Sequence, residues 1–160
     1  MPRKRKPISF RISEVSRLVG ATRSQLVYWD EIGLVSPSLR SASGRGSRRL
    51  YSTEDILELK VLMRLLHSSL TLQRIRPSFH FIRSQSKNLS SLIVLTDGKT
   101  VYFSQDKDVL VDTLKRGQTV LRIAVQDMIS EVQETLANRA GKVRKNEMTA
   151  GGVEPPTEGL

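Results

Sequence analysis

Cysteine is absent from all 160 residues. That excludes disulfides, thiolate metal sites and cysteine nucleophiles. Histidine occurs twice, at His67 and His80, and no third ligand stands beside either. Both read as ordinary, partly buried side chains, and no metal is expected. Nowhere does an apolar run reach the roughly 18 residues that a membrane-spanning helix needs. The opening residues, MPRKRKPISF, lack the apolar stretch of a signal peptide, so a cytoplasmic protein is expected, with no membrane partner. HExxH, a Walker-type glycine–lysine loop and GxSxG are all missing. Asp30 and Glu31 are adjacent acids, but neighbours on a helix do not face each other, so they read as surface charge. The expectation is a protein that is not an enzyme and holds no cofactor.

Positive charge is plentiful, and its placement is uneven. Residues 1–88 hold 17 Lys and Arg against 6 Asp and Glu, a balance of +11. Residues 89–160 hold 9 against 10, a balance of −1. One half is therefore suited to a polyanion and the other is not. Charge alone leaves a merely solvated basic surface open, and motifs must decide.

Residues 1–7 form a basic arm with two prolines. Ser13 is placed to cap a helix over 14–19, where Val15, Leu18 and Val19 share a face. Gly20 suits its left-handed end. Thr22 and Gln25 have capping-box spacing and start a second helix over 23–32. Only Gly20 and Ala21 separate the end of the first helix from the cap of the second, which makes a helix-turn-helix. On the second helix Leu26, Trp29 and Ile32 point one way, and Arg23, Ser24, Val27 and Glu31 the other. Tyr28 lies at the boundary, its ring beside the core and its hydroxyl free to reach outward. Residues 36–48, rich in Ser, Gly and Arg, then lead to Arg48-Arg49-Leu50-Tyr51-Ser52, which reads as a returning strand. Together they suggest a hairpin wing with a basic tip, whose arginines favour phosphate contact.

Ser52 and Asp55 repeat the capping pattern and open a helix over about 53–67. Thr71 caps a fourth segment, in which Pro77 should kink or split the helix. Residues 84–91 read as a linker. Asp97-Gly98 between two apolar runs signals a two-residue hairpin turn, with Val94 facing Val101 and Ile93 facing Tyr102. Residues 108–117 read as a helix. Gln118–Val125 suits either a third strand or a helix start. Residues 124–139 carry the stripe Val125, Met128, Ile129, Val132 and Leu136, which is either core or a dimer seam. A polar, Gly- and Pro-rich tail is expected over 141–160.

The run ISEVSRLVGATRSQLVYWDEIGLVSPS, followed by RRLYSTEDILELKVLMRLLHSSLTLQRI, resembles the DNA-binding domain of the MerR family of bacterial transcription regulators. The likeness covers residues 12–76. Leu26-Val27-Tyr28-Trp29-Asp30 with Gly33-Leu34 matches the family's recognition-helix pattern, and Arg49-Leu50-Tyr51-Ser52 its wing strand. Val27 stands where the family usually has Arg, and Pro77 interrupts the long dimerisation helix that often follows. The resemblance implies an N-terminal winged helix-turn-helix, read here over 8–76; residues 89–140 resemble no named family. With the patterns read along the rest of the chain, the expected fold is mainly α with small β, with a connecting helix or linker over 77–88 and a small C-terminal α/β module over 89–140 for dimerisation or effector binding. The resemblance also implies double-stranded DNA as partner, a homodimer on a twofold operator, and RNA polymerase as a second partner at a promoter. Helix 23–32 would enter the major groove and the wing 38–51 would lie on phosphates. DNA contacts are then expected from Arg23, Ser24, Val27 and Tyr28 on the helix, and from Arg40, Arg45, Arg48, Arg49 and Tyr51 on the wing. Val27 would meet a thymine methyl. Two other readings use the same residues: an excisionase-like protein that bends DNA, and a protein-interaction adaptor tethered to DNA.

Overall fold

The computed structural model describes residues 6–41, 48–84, 91–105, 121–123 and 125–150. The chain is mainly helical with two small sheets. Strand β1 (Phe10–Arg11) leads directly into α1 (Ile12–Val19), which is followed by α2 (Arg23–Glu31). Strand β2 (Leu50–Tyr51), α3 (Thr53–His67) and α4 (Leu72–Ser84) come next. Strands β3 (Ile93–Thr96), β4 (Val101–Ser104) and β5 (Leu121–Ile123) precede the long α5 (Val125–Ala150).

Local chemistry explains most of the boundaries. Thr22 Oγ1 accepts the Gln25 N–H at 3.1 Å, and Gln25 Oε1 accepts the Thr22 N–H at 2.9 Å. That is the reciprocal box expected from the spacing. Ser52 and Asp55 form the second box at the start of α3. Helix α1 starts earlier than the sequence suggests. Its cap is Arg11 rather than Ser13, because Glu14 Oε2 reaches back to the Arg11 N–H at 2.8 Å.

The end of α2 is a Schellman turn. Gly33 has φ 68°, its N–H donates to the Asp30 carbonyl at 3.0 Å, and the Leu34 N–H donates to the Trp29 carbonyl at 2.8 Å. Leu34 and Trp29, the apolar pair that accompanies this motif, are both buried. Gly20 ends α1 at φ 74°, its N–H on the Ser16 carbonyl at 3.0 Å.

Three elements depart from the sequence reading. The returning strand β2 pairs antiparallel with β1, Phe10 opposite Tyr51, and is bridged by Arg40 at Leu50 on the outgoing side. The N-terminal strand was not legible, because its partner lies 40 residues away and two residues carry no periodicity. The β3–β4 connection is not a two-residue turn. Thr96 pairs with Val101 and Val94 with Phe103, so the loop is 97–100. Asp97 Oδ1 takes the N–H groups of Lys99 and Thr100 at 2.8 and 2.6 Å, which holds the wider loop. The register moves by two, so each side chain keeps its expected face. Helix α4 runs unbroken through Pro77. Pro77 donates no N–H to the Gln73 carbonyl, but both residues are exposed, and water can serve that group.

Leu121–Ile123 settles the open alternative in favour of a strand, paired with β3. Helix α5 continues to Ala150, well into the expected tail. Lys, Arg, Glu and Met after residue 141 are good helix formers and offset Gly141, which costs about 1 kcal/mol relative to Ala. The expected helix over 108–117 and the wing tip over 42–47 lie outside the described residues.

One core unites both halves. Phe10, Val15, Leu26, Trp29, Tyr51, Ile56, Leu59, Leu62 and Ile75 share a buried cluster with Leu92, Val94, Val101, Val125 and Val132. The stripe on α5 is thus core within the chain: Val125 and Val132 are buried, and Met128, Ile129 and Leu136 pack partly buried on the same cluster. Ion pairs reinforce this packing. Lys60 Nζ meets Glu131 Oε2 at 2.7 Å. Arg139 donates to the Ser9 carbonyl at 2.9 Å, stands 4.9 Å from the Phe10 ring centre and lies 3.6 Å from Glu14. Burial pushes the Glu58 carboxyl above its usual range, against the pull of Arg83 at 2.7 Å. Among the described residues no helix is long and apolar enough to cross a membrane.

Candidate nucleic-acid interface

Helix α2 is divided by burial as its sequence pattern requires. Leu26 and Trp29 are each 1 % exposed and Ile32 is packed partly against the core. Opposite them Arg23, Ser24 and Glu31 are exposed, and Tyr28 is 50 % exposed. Val27 is only half-buried and sits between the two faces. The N-terminal end of α2 therefore presents a cation and a hydroxyl to solvent at the positive end of the helix dipole. Such an end favours anions.

The segment between α2 and α3 brings further cations. Arg40 and Arg48 are exposed. Arg40 is fixed by backbone bonds in both directions with Leu50, at 3.0 and 3.2 Å. Arg45 lies outside the described residues. The base of the segment is anchored by Asp55, a buried carboxylate. Its Oδ2 accepts the Ser38 N–H, the Ser38 hydroxyl and the Ser52 N–H, each at 2.8 Å. The same residue that caps α3 thus fastens the start of the loop to it.

Two of the expected contact residues on the wing are not exposed as Arg40 and Arg48 are. Tyr51 is fully buried and is a core residue rather than a surface contact, because β2 is pinned between β1 and Arg40 with its ring inward. Its hydroxyl has no hydrogen-bond partner among the described residues. Arg49 is half-buried, and its Nε donates to Asp30 Oδ2 at 2.9 Å. Asp30, read from sequence as plain surface charge, is thus a partner of Arg49. No local spacing could reveal this pair, because the residues are 19 positions apart. His67 and His80 are both exposed rather than partly buried.

Burial pushes the Tyr51 hydroxyl up to about 12; Asp30 adds to the shift, Arg49 opposes it and Asp55 adds to it. The folded value lies above the ordinary 10.0 of the unfolded chain, so the unfolded state loses its proton first. The stability tied to the neutral phenol is complete below pH 10 and is lost as pH rises through 12. Tyr51→Phe removes an unpartnered buried hydroxyl and should raise stability by about 1 kcal/mol at pH 7. The variant should also lack the part of the alkaline decline that belongs to Tyr51, about 2–3 kcal/mol. Urea denaturation of both proteins at intervals from pH 7 to 12 checks this. Parallel curves would contradict it.

Comparison with known proteins places these residues in a wider group. The family model described as MerR HTH family regulatory protein matches residues 10–80. An uncharacterised HTH-type transcriptional regulator of Mycobacterium tuberculosis (strain H37Rv) is 38% identical over 136 residues, which cover 84% of this chain and 60% of that protein. A similarly described regulator of Mycobacterium bovis gives the same figures. The heavy metal-dependent transcription regulator 1 of Rhizobium meliloti is 29% identical over 82 residues, 51% of this chain and 54% of that protein. The chain thus spans about 60% of the length of the first two relatives.

Proposed function

We propose that the chain, whose residues 10–80 match the model described as MerR HTH family regulatory protein, is a sequence-specific, DNA-binding transcription regulator of that kind. The observation that carries the reading is the two-sided α2. Leu26 and Trp29 seat the helix in the core, while Arg23, Ser24 and Tyr28 are exposed, and Arg40 and Arg48 are exposed on the segment that follows. Helix α2 enters the major groove with its N-terminal end toward the bases, and Arg40 and Arg48 rest on phosphates. Tyr28 reaches a phosphate through its hydroxyl, and Val27 touches base edges from the rim of the face.

The protein acts as a homodimer on a twofold site. A nine-residue helix reads only a few base pairs, and symmetry doubles the address. With the α5 stripe occupied inside the chain, the seam falls on another surface. Regulation follows from where such sites lie relative to promoters, with RNA polymerase as the second partner.

Selection of duplexes from a random-sequence library by the whole protein tests the reading. An enriched twofold sequence is expected. Arg23→Ala should change the preferred bases at particular positions by about 1–3 kcal/mol. Arg40→Ala should instead weaken all duplexes alike and lower the salt slope by about 1. Failure to enrich any duplex at moderate salt would refute the proposal.

A further inference from the structure

The reading face of α2 works only if the helix is held at a fixed tilt and rotation. Nine residues form a helix too short to be stable alone, so its pose depends on neighbours. Leu26 and Trp29 hold one side. The C-terminal end is held by two arginines from elsewhere in the chain. Arg49, just before β2, donates from Nε to Asp30 Oδ2 at 2.9 Å. Its side chain is 22% exposed and that of Asp30 is 17% exposed, so water screens the pair less than a surface ion pair. Arg76, on α4, donates from Nη2 to the Ile32 carbonyl at 2.8 Å. The Schellman turn occupies the carbonyls of Trp29 and Asp30, and the carbonyl of Tyr28 accepts the Ile32 N–H. Arg76 supplies a partner for a further carbonyl, with its charge at the negative end of the helix dipole.

We infer that Arg49 and Arg76 form a clamp on the end of α2, and that both are positioning residues for the DNA-reading face rather than phosphate contacts. This rests on the DNA-binding reading above. The two guanidinium groups reach one helix end from separate parts of the chain, the residue before β2 and α4. One contact would leave the helix free to rotate about it. Two contacts, together with the Trp29 anchor, fix the direction in which Arg23 and Ser24 point. Arg49 then contributes to affinity through geometry, and Asp30 becomes as necessary as Arg49 although it carries the wrong sign for DNA.

Two measurements on the whole protein decide. The first needs no DNA. Amide hydrogen exchange at Ile32, Gly33 and Leu34 should speed up by about tenfold or more in Arg49→Ala and in Arg76→Ala, with α1 and α3 unchanged. Unchanged exchange at the end of α2 overturns the clamp. Faster exchange throughout α1 and α3 makes the arginines general stabilisers and also overturns it. The second uses the duplex that the wild-type protein enriches from a random library, beside a scrambled duplex of equal composition. Arg49→Ala and Asp30→Asn should each lose about tenfold on the enriched duplex. Binding to the scrambled duplex and the salt slope should stay as they were. Removing the Asp30 charge near a polyanion would by electrostatics alone strengthen binding, so a loss identifies positioning. The double variant Asp30→Arg with Arg49→Asp should recover most of the preference. A salt slope lowered by about 1 on both duplexes in Arg49→Ala, with Asp30→Asn harmless, would make Arg49 a phosphate contact and refute the assignment. If exchange at the end of α2 rises as expected but the wild-type protein enriches no duplex, the clamp stands as a helix anchor and the DNA-binding reading fails.

Discussion

Trp29→Ala should lower the stability of the whole chain by about 3–5 kcal/mol. The side chain is 1% exposed and is among the largest fully buried groups. Its loss opens a cavity beneath α2, where Leu34 also packs through the turn at Gly33. Trp29 is the largest apolar anchor of this short helix, so α2 should be affected most. Chemical denaturation checks the size of the effect, with Trp29→Phe as the milder comparison. The only tryptophan is lost in either variant, so unfolding must be followed by circular dichroism rather than fluorescence. A loss below about 1 kcal/mol would mean that α2 is not seated as described.

Asp55→Ala should cost about 2–4 kcal/mol, the second large effect. Three donors converge on one oxygen, and two of them are backbone N–H groups at Ser38 and Ser52. Truncation leaves those donors without their acceptor, and the lost Ser52 N–H bond is one half of the capping box of α3; the other half, from the N–H of residue 55 to Ser52 Oγ, stays. Asp55→Asn keeps an acceptor of similar size and should lose about half as much. The two variants, measured by urea denaturation at pH 7, should fall in that order. An equal loss in both would mean that the charge of Asp55, not the geometry of its acceptor, does the holding.

Residues whose partners lie within a turn or so were legible in the sequence. Thr22 with Gln25 and Ser52 with Asp55 announce helix starts, and Gly20 and Gly33 announce ends, because a cap is made by neighbours a few positions apart. The split of α2 into Leu26 and Trp29 against Arg23 and Ser24 follows from the helical period alone. Most of the illegible features join distant segments. Phe10 with Tyr51, Arg49 with Asp30, Arg76 with Ile32 and Arg139 with Ser9 meet only through the tertiary fold. Tyr51 shows the consequence for function. Its place in a family-like motif suggested contact with DNA, yet strand alternation beside β1 turns its ring inward. Asp97 shows a smaller failure of a local kind. An Asp-Gly pair is a strong turn signal, but the carboxylate bound two backbone N–H groups and widened the loop.

The Arg139 contacts at the root of the chain have a consequence for how the protein is made. Arg139 reaches back across 130 positions to the Ser9 carbonyl and lies over Phe10. Translation delivers α1 and α2 early, but the residue that fastens β1 from outside arrives 130 positions after Ser9. During that interval the helix-turn-helix must rely on its own short-range contacts, with Phe10 still open to solvent on the side that Arg139 later covers. Contacts of such long sequence separation form slowly, since a long loop must close before they contribute. The nascent N-terminal half therefore spends its longest waiting time with an aromatic residue uncovered beside a strand edge, a surface on which a chaperone or a neighbouring nascent chain can settle.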